Sequence, residues 1–174
     1  MNITYRTLEK KDAESFWSMM TALDQETKFM LYEPGERSQD LKIPERMIES
    51  ARENDDFLMA AEADGEIIGF LSAQKGKLRR IKHSAYIITG IREAYQGMGI
   101  GTELFSRLND WAEKTGLERL ELTVLCANER ARHLYEKKGF VVEGIKKRSV
   151  ITDGIAIDEY YMGKIIERKS SQHG

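Results

Sequence analysis

Apolar positions set the pattern of the chain. Ile3 to Thr7 alternates apolar and polar residues, which predicts a short strand. Asp12 stands where it can N-cap a helix carrying Ala13, Phe16, Met19, Met20 and Leu23 on one face. Glu33-Pro34-Gly35-Glu36 is a turn signal, and Pro44 suits the first turn of a second helix with Met47, Ile48 and Ala51 inward. Phe57 to Ala63 and Ile67 to Gln74 read as strands joined by Asp64-Gly65, a tight-hairpin pair. Ala85 to Arg92 predicts a fourth strand. From there, Ile100, Leu104, Phe105, Leu108, Trp111 and Ala112 form a helical face that ends near Gly116. Leu120, Leu122 and Val124 alternate with Glu121 and Thr123 as far as Cys126. Asn128 can cap a helix with Ala131, Leu134 and Tyr135 on one face and Gly139 at its end. Phe140 to Ile151 and Asp158 to Ile166 close the chain as strands around an Asp153-Gly154 turn. The order is β-α-α-β-β-β-α-β-α-β-β. Strand-helix-strand units in the middle imply some parallel pairing, and hairpins at both ends imply antiparallel pairing. The expected class is mixed α/β with a mostly antiparallel sheet.

At 174 residues the expectation is a single domain spanning 1–174, with a frayed tail from 167 to 174. A net charge of −2 gives no general attraction to nucleic acid or to an anionic membrane. The basic loop from Lys75 to Lys82 lacks aromatic interleaving and reads as solvated surface. One cysteine, Cys126, leaves no internal disulfide. With a charged N-terminus and no long apolar run, this points to a cytoplasmic protein without a membrane span. His83, His133 and Cys126 have no metal-ligand spacing, so no metal site is expected.

The candidate chemistry lies between the fourth strand and the helix that follows it. Gly97, Gly99 and Gly101 alternate in a turn that opens a helix. Free N–H groups and the positive end of the helix dipole make such a turn an anion site. A Walker loop needs Gly-Lys-Ser/Thr, which occurs nowhere in the chain. A G-x-G-x-x-G fingerprint fails at Thr102 when started from Gly97, and fails when started from Gly99. The pattern present is Gln96-x-x-Gly99-x-Gly101, preceded by Tyr95.

That pattern resembles the [RQ]-x-x-G-x-[GA] signature of the GNAT superfamily of acyl-CoA-dependent N-acetyltransferases. Asn128 to Phe140, N-E-R-A-R-H-L-Y-E-K-K-G-F, is similar to the family's N-x-x-A-x-x-L-Y-x-K-x-G-F segment. One helix and one strand separate the blocks, as in the family, and the last third looks like the ribosomal-protein alanine and polyamine acetyltransferase branches. The resemblance implies acetyl-CoA as co-substrate, its pyrophosphate on backbone N–H groups of Gln96, Gly97, Met98, Gly99, Ile100, Gly101 and Thr102. It implies a pantetheine arm pairing with Gly90, Ile91 and Arg92, an N–H near Ile91 facing the thioester carbonyl, and Asn128 and Ala131 beside the pantetheine. It makes Tyr135 the general acid toward the departing CoA thiolate. For the base, Glu33, Glu93 and Glu159 all remain open. Tyr32, Glu33, Tyr160 and Tyr161 are candidates for lining an amine pocket. The acceptor is expected to be a small-molecule amine or a peptide N-terminus, and a homodimer is expected from the habits of the family. The alternative is a GNAT fold that holds CoA as a sensor or scaffold without turnover.

Overall fold

A computed structural model describes residues 1–168. The elements are β1 (Ile3–Thr7), α1 (Ala13–Glu26), α2 (Lys42–Glu53), β2 (Phe57–Ala63), β3 (Glu66–Lys75), β4 (Ser84–Ile91), α3 (Ile100–Lys114), β5 (Arg119–Leu125), α4 (Glu129–Lys137), β6 (Val141–Thr152) and β7 (Ile155–Ile165). Their order is the one the apolar pattern predicts. Short 3₁₀ turns at Lys10–Asp12 and Glu93–Tyr95 lie outside that prediction.

All seven strands belong to one sheet, ordered β1-β2-β3-β4-β5-β7-β6. Every neighbouring pair is antiparallel except β4 with β5. That exception follows from the α3 crossover, which returns the chain in the same direction. The second crossover, through α4, does not place β6 beside β5, because β7 inserts between them. Asp64-Gly65 and Asp153-Gly154 turn their hairpins with positive φ at both residues (51° and 81°; 51° and 77°), as two-residue turns matching strand twist require.

Each face of the sheet has its own core. Ile100, Leu104, Phe105 and Leu108 of α3, with Tyr135 of α4, pack against Ala85, Ile87, Leu120, Leu122 and Val124. On the other face Phe16, Met20 and Leu23 of α1 and Ile48 of α2 pack on Leu58, Ala60 and Phe70. This second layer covers only the β1–β3 end. Tyr86, Ile88 and Tyr161, farther along that face, remain exposed.

Asp12 does precede α1, but its carboxylate makes no capping bond to the helix. It accepts hydrogen bonds from Arg6 (2.7 and 2.8 Å) and from the Glu9 N–H (2.8 Å), because a guanidinium on β1 is a stronger partner than a helix amide. In the tail, Arg168 forms an ion pair with Glu118; residues 169–174 lie outside the described residues. No helix among the described residues is long and apolar enough to cross a membrane, and no three His, Cys, Asp or Glu side chains among them gather as metal ligands.

Candidate active site

The glycine turn ends β4 and opens α3. Gly97 (φ 77°) and Gly99 (φ 81°) hold left-handed backbone, where a Cβ is strained. A Cβ on Gly101 would lie 2.7 Å from the Leu134 side chain, so this glycine lets α4 approach α3. The first helical bond runs from the Glu103 N–H to the Gly99 carbonyl (3.0 Å). The N–H groups of Gly97, Met98, Gly99, Ile100, Gly101 and Thr102 find no acceptor among the described residues. The Gln96 N–H donates to the Glu93 carbonyl (3.2 Å) within the 3₁₀ turn, so the free run begins one residue later than the motif predicts. The Gln96 side chain braces the turn. Its amide nitrogen donates to the Ile91 carbonyl (3.4 Å), and its oxygen accepts from Arg130 (3.1 Å). The Arg130 guanidinium lies 3.0 Å from the Cβ position of Gly97, adding positive charge to the free amides.

β4 and β5 part company above this turn's strand. They pair only at Ser84–Arg119, Ala85–Leu120 and Tyr86–Glu121. β4 then stays with β3 as far as Ile91, and β5 stays with β7 as far as Leu125. The result is a wedge-shaped gap. The Arg92 N–H donates to Ile68 on β3 (2.8 Å). Antiparallel ladders alternate, so the N–H groups of Ile91 and Thr89 face the gap. Arg92 therefore does not offer its amide there, and its guanidinium is held by Glu26 (2.7 Å), which also accepts from the Glu93 N–H (3.0 Å). Gly90 has a packing reason to be glycine: a Cβ would lie 2.9 Å from Leu23 and 3.3 Å from Phe70.

Tyr135 lies on α4, buried in the layer that α3 and α4 form on one face of the sheet. Its ring packs on Phe105 (5.4 Å between centroids) and Phe140 (6.2 Å). Its hydroxyl makes no hydrogen bond with any described residue. Burial, reinforced by Tyr86, pushes its pKa up to about 12, so the phenol keeps its proton at neutral pH. Tyr86 belongs to the opposite face of the sheet, on β4 at the last pair it makes with β5. Tyr86 Oη in turn bonds Thr123 Oγ1 on β5 (2.9 Å). Asn128 accepts the Ala131 N–H as helix N-cap (3.3 Å), and its own N–H donates to Leu125 (2.8 Å). Its side-chain amide nitrogen has no partner among the described residues.

The residues singled out for the base and the amine pocket disperse. Glu33 lies in the exposed α1–α2 loop and Glu93 is exposed on the 3₁₀ turn. Tyr160 turns toward α4, under Arg132 (5.7 Å), whereas Tyr161 lies on the open face opposite Thr123. Glu159 is buried on that open face. Tyr32 stacks on Arg37 (4.3 Å), and Trp17 also packs against that guanidinium (4.8 Å). Arg37 donates to Asp24 through two bonds of 2.7 and 3.0 Å, a buried ion pair that ties the loop to α1. Met30 of the same loop reaches within 3.6 Å of the Gly90 Cβ position. Sequence reading overlooks Tyr86, Thr123, Glu26 and the Asp24–Arg37 pair. Tyr86 and Thr123 do carry a signal, as polar residues alternating within buried strands, but Arg37 carries none.

Comparison with known proteins agrees with this geometry. The model of the Acetyltransferase (GNAT) family matches residues 17–140. The L-amino acid N-acetyltransferase AaaT of Escherichia coli is 27% identical over 108 residues, 62% of this chain and 67% of that protein. The crystal structure of a GNAT-family acetyltransferase from Streptococcus pneumoniae superposes with a TM-score of 0.90 at 28% identity, covering 95% of this chain and 100% of that one. The fold is shared too by yncA of Salmonella typhimurium, solved with its cofactor acetyl-CoA (TM-score 0.86, 19% identity, 98% of each chain). With the family model spanning the sheet from α1 through α4, the chain belongs to the GNAT family of acetyltransferases.

Proposed function

We propose that the protein transfers the acetyl group of acetyl-CoA to an amine, with residues 1–174 acting as one cytoplasmic catalytic unit. The observation that carries this reading is that three features are neighbours in the fold. A run of unpartnered amides, Gly97 to Thr102, lies beside a gap between β4 and β5, and α4, which carries Tyr135 without a hydrogen-bond partner among the described residues, packs on the same α3 layer. The residues present suit the co-substrate. Left-handed glycines leave the amides bare for a pyrophosphate, Arg130 adds charge, and the Asn128 amide and the Ile91 and Thr89 N–H groups line a slot for an amide-bearing arm.

Acetyl-CoA supplies an activated thioester. The Ile91 N–H, which points away from β3, would be the donor that stabilises negative charge on the acyl oxygen. Tyr135 Oη donates to the departing sulfur. Its pKa of about 12 sets the character of that donation. The phenol is therefore protonated at neutral pH and available as the general acid that gives its proton to the departing thiolate. The unpartnered phenol and the intact glycine turn count against a CoA-holding module without turnover.

The decisive experiment compares wild type with Tyr135→Phe, measuring thiol release with acetyl-CoA and an amine panel beside the acetyl-CoA Kd. Turnover is expected to fall about 10²–10⁴-fold with unchanged Kd. Unchanged turnover would remove Tyr135 from the mechanism, and no thiol release by wild type with any amine would favour the silent module. The same panel, pairing polyamines with N-terminal peptides, tests the branch suggested by the closing hairpin. Sedimentation tests the expected homodimer.

A further inference from the structure

The open face of β4, β5 and β7 is an acceptor-sized floor beside the gap. Its boundary is formed by the α1–α2 loop, with Met30 over β4, and by the tip of the β6–β7 hairpin, where Asp153 pairs with Lys28. Most of the floor is neutral: Ile88, Tyr86, Thr123 and Tyr161. Glu159 is the exception. Register places it opposite Leu125, at the end of β5 where the gap is widest, and two residues from Tyr161 on the same side of β7.

Glu159 is only 8% exposed, yet no described residue donates a hydrogen bond to its carboxylate or forms an ion pair with it. Its cross-strand neighbour on β6, Lys146, is exposed and not bonded to it. Beyond Lys146 the register shifts before Val150, a bulge of the kind that re-aims side chains beside active sites. Its oxygens are not sealed from solvent, so a carboxylate with no protein donor stands free at the edge of the floor, where an incoming cation can supply the donors. Tyr161, Thr123 and Tyr86 continue this face from the carboxylate across β5 to β4.

We propose that Glu159 is the anionic subsite that receives the ammonium group of the acceptor. It favours aliphatic amines that arrive as cations over zwitterionic α-amino acids, whose own carboxylate it repels. This rests on the acetyl-transfer reading of the same site, but its test does not depend on turnover. A linear diamine, putrescine, is titrated by calorimetry into the protein saturated with CoA, for wild type, Glu159→Gln and Glu159→Asp, with glycine as the zwitterion. Acetyl-CoA affinity is measured for each variant.

Putrescine is expected to bind wild type more tightly than glycine. Glu159→Gln should weaken it by about tenfold or more, the worth of a charge-assisted bond, with acetyl-CoA affinity unchanged. Glu159→Asp should fall between the two. Equal putrescine binding by wild type and Glu159→Gln, no putrescine binding by wild type, or tighter glycine binding overturns the proposal. So does loss of acetyl-CoA affinity in both variants, which would make Glu159 a structural carboxylate. Absence of thiol release by a wild type that binds putrescine through Glu159 would instead refute acetyl transfer and leave the subsite standing.

Discussion

Arg37→Met tests whether the loop between α1 and α2 is held by one buried ion pair. Arg37 and Asp24 are 6% and 2% exposed at their side chains, joined by bonds of 2.7 and 3.0 Å, with Trp17 and Tyr32 packed against the guanidinium. Methionine keeps most of the stem and some of the aromatic contact, but leaves the Asp24 carboxylate buried without a counter-charge. Removing one partner of such a pair costs about 3–5 kcal/mol. For a chain of this size that lowers Tm by about 6–20 °C. Equilibrium denaturation of Arg37→Met, Asp24→Asn and the double variant supplies the assay. The double variant is expected to be more stable than the sum of the singles predicts, by up to about 3 kcal/mol, because the uncompensated charge is then gone. The same loop carries Met30 over Gly90, so the acceptor KM should rise in Arg37→Met while acetyl-CoA affinity stays within about twofold. A loss below about 1 kcal/mol, or strictly additive variants, would refute the clamp.

Other outcomes follow from the turn, the sheet and β1. Gly99→Ala places a Cβ with open space around it but on left-handed backbone, so it should cost about 1–2 kcal/mol through strain alone and weaken acetyl-CoA binding, both read by denaturation with and without ligand. Gly90→Ala drives a Cβ to 2.9 Å from Leu23 and should cost about 1–3 kcal/mol by overpacking in the same denaturation assay. The Asp12 carboxyl is held below its ordinary range, first by its hydrogen bonds from Arg6. A depressed carboxyl contributes stability that is present above its unfolded value of about 3.9 and is lost as pH falls through the folded value. Acid titration of stability should therefore be shallower below about pH 4 in Arg6→Met than in wild type.

Much of the fold was legible because local pattern and local chemistry agree. Period-two alternation in β5, the helical face from Ile100 to Ala112 and the Asp-Gly hairpins each need only a few neighbouring residues to be read. The glycine turn and Tyr135 were legible for the same reason, as short motifs with a fixed spacing. Gly90 was legible as a position but not in its cause, since only the packing of α1 against β4 shows what a Cβ there would strike. Arg92 and the Gln96 amide were expected to serve a ligand, and only the structure shows the bonds they make to β3, Glu26 and Glu93.

The sequence by itself determined the order of elements, the family and the place of the glycine turn, because those depend on residues within one or two turns of each other. Only the tertiary structure decided that β7 inserts between β5 and β6, that β4 and β5 separate after three paired residues, and that Tyr135 packs on Phe105 and Phe140 in the α3/α4 layer. It also distinguished Glu33, Glu93 and Glu159. The three carboxylates are chemically alike in the sequence, and differ in that Glu33 and Glu93 are exposed on a loop and a turn whereas Glu159 sits on the open face of the sheet.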